Sequence, residues 1–280
     1  MRIRKMIAQS TALALLLLIC VYPSHNTAAA EYDTVVEQEQ SLSQQQMAEQ
    51  DQVLLQQQTT DQTQVTQSTD NTTGTVQGVK PEVSTQEQLQ VALANVAAEQ
   101  SSRQLVFIGD SRTVGMNSAI GKDGNLWSAK VGMGLSWMKS TGVPAVEGQI
   151  NANSDVVILM GVNDVRSLSY TEKYIKYINE KAATWTALGA NVYYVSVNPI
   201  TFESASYPGI SNSLIEKWNA RMQQGLSENV KYIDTYSQTV GKLSSKDGMH
   251  YNKSSYKTIY TLIQQGIISD KLYKEYNVLV

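Results

Sequence analysis

An α/β domain, with a mostly parallel central sheet covered by helices on both faces, is the fold this sequence predicts. Three observations carry the prediction. Short apolar runs recur after Gln104, and several stop at Gly, Asn or Pro. Segments with helical apolar spacing lie between those runs. Strands that alternate with helices pair in parallel and bury both faces of their sheet.

The first third of the chain reads differently from this domain. Residues 1–30 have the form of a signal peptide: Arg2, Arg4 and Lys5, an apolar run from Ala12 to Val21, then Ala28, Ala29 and Ala30 before Glu31. The run is short for a bilayer span, which needs about 20 apolar residues, so no permanent membrane span is expected. Cys20 suggests a lipid anchor, but Ile19 stands where a lipidation signal needs a small residue. Residues 31–83 are rich in Gln, Thr, Ser and Glu, with runs at Gln44–Gln46 and Gln56–Gln58. Such a stretch has too little apolar surface to offset the entropy of ordering and is read as a flexible spacer. Asn71, Thr72 and Thr73 form a glycosylation sequon. Residues 84–103 regain helical spacing through Leu89, Leu93, Val96 and Ala97, with Ser84 or Thr85 as cap, and form a lead-in helix.

The folded domain is assigned to residues 104–280. Its expected strands are Leu105–Ile108, Trp127–Val131, Asp155–Met160, Asn191–Val197 and Val230–Ile233. Its expected helices are Thr171–Leu188, Ser211–Leu226 and Ser254–Ile267. Tyr174, Ile178, Trp218 and Met222 are read as ordinary core residues on those helices. Ligands bind beyond the carboxyl ends of strands in this architecture. The residues after Ile108, Val131, Met160 and Val197 should therefore share one rim.

Composition narrows the chemistry. The 280 residues carry 22 Lys+Arg against 25 Asp+Glu, a formal net charge of -3, which argues against nucleic acid as a partner. One Cys excludes an internal disulfide framework and a multi-cysteine metal site, and two His exclude a three-histidine site. His25 lies in the signal region, so His250 is the sole histidine after cleavage.

Four short segments supply reactive groups. In Gly109-Asp110-Ser111-Arg112-Thr113 a serine sits where a strand turns into a helix. Taken alone, a helix cap explains it as well as a nucleophile does. Gly132-Met133-Gly134 permits close backbone approach and a free N–H, and a tight turn explains the pair equally. Gly161-Val162-Asn163-Asp164 ends a central strand and offers the Asn163 amide, or simple turn chemistry. Asp247-Gly248-Met249-His250 places an acid three residues before the histidine. Together they provide a serine nucleophile, a histidine base, an acid to orient it and donors for an oxyanion. A Gly-x-Ser-x-Gly elbow is absent.

The order and spacing of these segments resemble the SGNH hydrolases, also called the GDSL esterase/lipase family, over most of Gln104–Tyr273. The resemblance implies a flavodoxin-like three-layer sandwich and ester cleavage without metal or organic cofactor. It implies Ser111 as nucleophile, His250 as base and Asp247 as its partner. It implies an oxyanion hole from the Ser111 N–H, a glycine N–H and the Asn163 side chain. Gly134 is the chosen glycine and Gly132 the alternative. Arg112, Trp137 and Arg166 are candidates for substrate contact, against structural pairing or core packing. The loop from Asn198 to Gly209, with Phe202 and Tyr207, is expected to wall the site. The expected protein is secreted or held at the cell surface. Its expected partner is a small-molecule or polysaccharide ester, foremost O-acetyl groups on a carbohydrate or cell-wall polymer. A lipase or lysophospholipase-like esterase and a non-catalytic glycan-binding protein on the same scaffold are the rival expectations.

Overall fold

The computed structural model describes residues 85–277, which lie in one compact unit. The signal and spacer assignments, residues 1–30 and 31–83, fall outside the described residues.

Five parallel strands form one sheet: β1 (Gln104–Gly109), β2 (Leu126–Ala129), β3 (Ser154–Leu159), β4 (Asn191–Val195) and β5 (Lys231–Ile233). Their order is β2-β1-β3-β4-β5, with Phe107 opposite Trp127 on one side and Val157 on the other. Five long helices accompany them: α1 (Thr85–Ser102), α2 (Ser111–Ile120), α3 (Tyr170–Ala187), α4 (Asn212–Gly225) and α5 (Lys253–Tyr276). This is the flavodoxin-like three-layer sandwich expected from the sequence.

Alternation along the strands decides the two faces. Val106, Ile108, Val156, Ile158, Val192 and Tyr194 point to one side, where Tyr174, Ile178 and Trp185 of α3 meet Ile215, Trp218 and Met222 of α4. Phe107, Val157, Tyr193 and Val195 point to the other, toward Met116 of α2 and Ile259, Ile263 and Ile267 of α5. Each central strand is thus apolar on both faces, which is why it reads as a continuous run.

The strand ends depart from expectation by two residues in two places and by at most one residue elsewhere. β4 stops at Val195 rather than Val197, because the Asn219 side chain takes over pairing with the backbone N–H and C=O of Val197, both at 2.9 Å. β2 stops at Ala129, and Val131 is 61% exposed.

The last helix differs more. It was expected to end at Ile267 and runs on to Tyr276, where Asn277 closes it in the left-handed region at φ 54°. Ser269, Asp270 and Lys271 interrupt the apolar pattern there. Yet Asp270 and Lys271 are buried. Lys271 Nζ reaches Glu99 at 3.1 Å and the buried Asp155 at 3.3 Å. Asp270 accepts from Lys274 at 2.7 Å and from Tyr193 at 3.2 Å. Glu99 belongs to α1, whose Ala92, Leu93 and Val96 are buried. The lead-in helix is therefore packed into the domain, tied to α5 and the start of β3.

Candidate active site

The sheet's topology sets the place. The chain leaves β1 for β2 on one side, then returns to lay β3, β4 and β5 on the other. The segments after β1 and β3 therefore diverge at the centre of the carboxyl rim, where such folds take ligands.

Ser111 follows β1 as the first residue of α2. The helix cap is its neighbour: Asp110 accepts from the Arg112 N–H at 3.0 Å. The cap is therefore Asp110 and not Ser111, whose hydroxyl is left for another partner. A side chain on Gly109 would collide with Thr113 Oγ1, so the turn is closed by the two residues together. Ser111 is 8% exposed. Burial of Asp110 raises its pKa to about 6, a rise that the nearby Arg112 cation only partly offsets.

His250, the candidate base, comes from the loop between β5 and α5. His250 Nε2 lies 2.9 Å from Ser111 Oγ, and Nδ1 lies 2.8 Å from Asp247 Oδ2. The network assigns the tautomer: Nδ1–H donates to the carboxylate, leaving Nε2 to accept from the serine hydroxyl. Asp247 is fixed by its own loop. Its Oδ1 accepts from the N–H of His250 at 2.7 Å, the N–H of Met249 at 2.9 Å and Ser245 Oγ at 3.0 Å. Burial alone pushes this carboxyl up. The bonds from His250, Met249 and Ser245 outweigh it and hold the group well below the usual carboxylate range.

A further side chain reaches this pair. The Tyr207 hydroxyl stands 3.2 Å from Asp247 Oδ2 and 3.2 Å from His250 Nδ1. Its ring meets the imidazole edge to face, with centroids 5.6 Å apart. Its loop, after β4, is fastened to the loop of Asp247 and His250 by Thr201 N–H to Gly248 O at 3.0 Å. The sequence placed Tyr207 in the wall without marking it as a partner of His250. Only the fold brings residues 207 and 250 together.

The candidate oxyanion donors come from the start of α2, the turn after β3 and the Gly132–Gly134 turn. The Ser111 N–H opens α2 and has no intrahelical acceptor. Asn163 Nδ2 donates one hydrogen to Met133 O at 2.9 Å and keeps the other. Gly134 and Gly132 are now distinguishable. Gly132 is exposed at φ 74° with open space around it. Gly134 packs so closely on the Asp164 carboxylate that any Cβ would collide with it. Asp164 Oδ2 accepts from the Leu135 N–H and from the Tyr174 hydroxyl, both at 2.8 Å.

The three candidates for substrate contact fare less well. Arg112 is buried, and its guanidinium is spent inside the protein. It donates to Met249 O at 3.2 Å and to Asn198 O, with the Tyr251 ring 5.2 Å away. It clamps two loops and is not available to a substrate, and its partners are carbonyls rather than acids. Trp137 is half-buried against the core and Gly142, with Nε1 buried and unpaired. Arg166 is exposed and donates to Pro208 O at 2.7 Å, bracing the loop that carries Tyr207.

No protein-family model and no curated protein matches the sequence. Solved structures do. A Bacteroides fragilis protein provisionally described as an acylhydrolase is 21% identical, with 60% of this chain and 88% of that one covered at a TM-score of 0.50. A GDSL-like lipase from Bacteroides thetaiotaomicron is 22% identical, covering 64% and 96% at a TM-score of 0.46. The fold of this chain, a parallel five-stranded sheet between helices, is similar to that of the Bacteroides fragilis protein.

Proposed function

We propose that the domain is a serine esterase that cleaves carboxylic esters by acyl transfer. The observation that carries this reading is the unbroken line from Asp247 Oδ2 through the His250 ring to Ser111 Oγ, at 2.8 and 2.9 Å. Such a line polarises a hydroxyl toward attack.

As Ser111 Oγ bonds to the ester carbonyl carbon, its proton passes to His250 Nε2. The carbonyl π electrons move to oxygen. That oxyanion sits among the N–H groups of Ser111 and Gly134 and the free hydrogen of Asn163 Nδ2, at the positive end of α2. Collapse of the intermediate breaks the bond to the alcohol oxygen, which takes the proton from His250. Water then gives a proton to His250 as its oxygen adds to the acyl carbon, and Ser111 departs with that proton restored. Asp247 keeps its charge throughout and steadies the imidazolium.

The substrate reading is O-acetyl groups on a carbohydrate or cell-wall polymer. It rests on the export signal and spacer read from the sequence. Acetate release from acetylated glycans, beside short- and long-chain model esters, tests it with wild type and Ser111→Ala. Acetate release lost in the variant supports the reading. Preference for long-chain esters moves it to a lipase. No turnover by folded wild type on the whole panel supports a binding protein on the hydrolase scaffold.

A further inference from the structure

Asp164 is a carboxylate beside the proposed oxyanion site that takes no part in the acyl-transfer steps. A negative charge there opposes a forming oxyanion, so its presence needs a reason. The Gly134 N–H makes no hydrogen bond to protein among the described residues, which leaves it free to serve a substrate. Nothing in its own segment fixes its direction. The residues on either side do. The carbonyl before it, Met133 O, is held by Asn163 Nδ2 at 2.9 Å. The N–H after it, on Leu135, is held by Asp164 Oδ2 at 2.8 Å. Adjacent residues of one turn thus grip both flanks of Gly134.

Asp164 is itself anchored from the core. The hydroxyl of Tyr174, a fully buried residue of α3, donates to the same Oδ2 at 2.8 Å. Two donors on one oxygen draw the carboxylate's charge away from the reaction side. The contact with Gly134 leaves no room for a Cβ, so the loop lies flat on the carboxylate.

We propose that Asp164 is a positioning residue that aims the Gly134 N–H at the oxyanion, with Tyr174 as its anchor. The proposal rests on the serine-esterase reading. Loss of the strap lets the Gly134 N–H swing away, which withdraws one donor from the transition state and leaves ground-state binding nearly intact. Removing one such donor costs about 10²–10³ in kcat.

The test compares Asp164→Ala, Asp164→Asn and Tyr174→Phe with wild type and Ser111→Ala on a short-chain model ester. Asp164→Ala is expected to lose about 10²–10³-fold in kcat, with KM within roughly threefold and the pH profile unmoved. Asp164→Asn keeps an acceptor oxygen for Leu135 and sheds the opposing charge, so it should stay within about tenfold of wild type. Inhibition by phenylboronic acid, whose tetrahedral adduct on Ser111 places an oxygen at the same site, should weaken in step with kcat/KM. Should Asp164→Ala fail to fold, Tyr174→Phe decides, with an expected loss of about threefold to tenfold in kcat and steady KM. The proposal is overturned by wild-type kcat in Asp164→Ala, by equal loss in Asp164→Asn and Asp164→Ala, or by wild-type kcat in Tyr174→Phe where that variant decides. A shifted pH profile also overturns it, because the effect would then run through His250. Undiminished activity in Ser111→Ala would instead remove the esterase reading itself.

Discussion

The two ends of the sheet both hold a carboxylate tied by several partners, and they hold it in opposite ways: the Asp155 side chain is fully buried and that of Asp247 is 37% exposed. At the amino end, Asp155 is fully buried and meets Arg103 Nε at 2.8 Å, Lys271 Nζ at 3.3 Å and Asn191 Nδ2 at 2.7 Å. Each charge there is answered by a full opposite charge. At the carboxyl end, the Asp247 carboxylate is answered by backbone N–H groups, hydroxyls and the His250 imidazole. In the proposed reaction that arrangement is completed when His250 takes a proton. A closed cluster holds α1, α5 and β3 together, and an open one leaves room for a charge to form. A buried carboxylate matched by cations is a structural tie, whereas a part-exposed one beside an imidazole is a candidate for proton transfer.

Breaking the open end should be the most costly for activity. Ser111→Ala is expected to reduce kcat by about 10⁴–10⁶-fold on any ester the wild type hydrolyses, with the melting temperature nearly unchanged. Steady-state kinetics and a thermal melt on the same sample check both halves. The closed end should show the reverse. Asp155→Ala removes an ion-pair partner from both the buried Lys271 and Arg103 and is expected to cost about 3–5 kcal/mol in stability. Urea titration measures it. Turnover per folded molecule should stay at wild type, and a fall in turnover would mean the two ends are coupled.

Asp110 sharpens the contrast through pH. Its pKa is raised to about 6, so the fold favours the protonated acid. Its contribution to stability is present in full below the ordinary carboxylate range and is lost as pH climbs through about 6. Asp110→Asn keeps a capping oxygen and cannot ionise. The variant should therefore gain on wild type between pH 4 and pH 8, by on the order of 3 kcal/mol. Melting curves across that range check it, and a parallel pH dependence in the two proteins would remove the argument. The smallest effect concerns Tyr207. Tyr207→Phe keeps the edge-to-face ring and loses one hydroxyl near the Asp247–His250 couple. A fall of about threefold to tenfold in kcat, with KM steady, is expected from one hydrogen bond.

Much of this was legible in the sequence because it rests on local rules. Val106, Phe107 and Ile108 read as a buried strand since an apolar run of that length has few other fates. Asp247 and His250 read as a couple because three residues of one loop bring them into reach. Arg112 was legible in part. A structural role is one of the two readings the sequence supports, but with acids as partners, and only the approach of residues 198 and 249 gives it carbonyls to bind. Lys271 misled for a related reason. A charged residue in a helix marks a solvent face unless a distant partner meets it, and Asp155 and Glu99 come from far along the chain. Tyr207 and Asp164 stand between these cases, inside segments already singled out but with partners the chain order does not reveal.

By itself, then, the sequence determined the alternating elements and the faces they bury, and the resemblance of its motifs named the candidate serine, histidine and acid. Hydrophobic spacing acts over a few residues and can be read in one dimension. The tertiary structure decided which glycine packs on the Asp164 carboxylate, which arginine is spent on the scaffold and which tyrosine meets His250. Those outcomes depend on hydrogen bonds between residues remote in sequence, and such bonds are directional and short-ranged. Their partners exist only once the sheet has set the loops side by side.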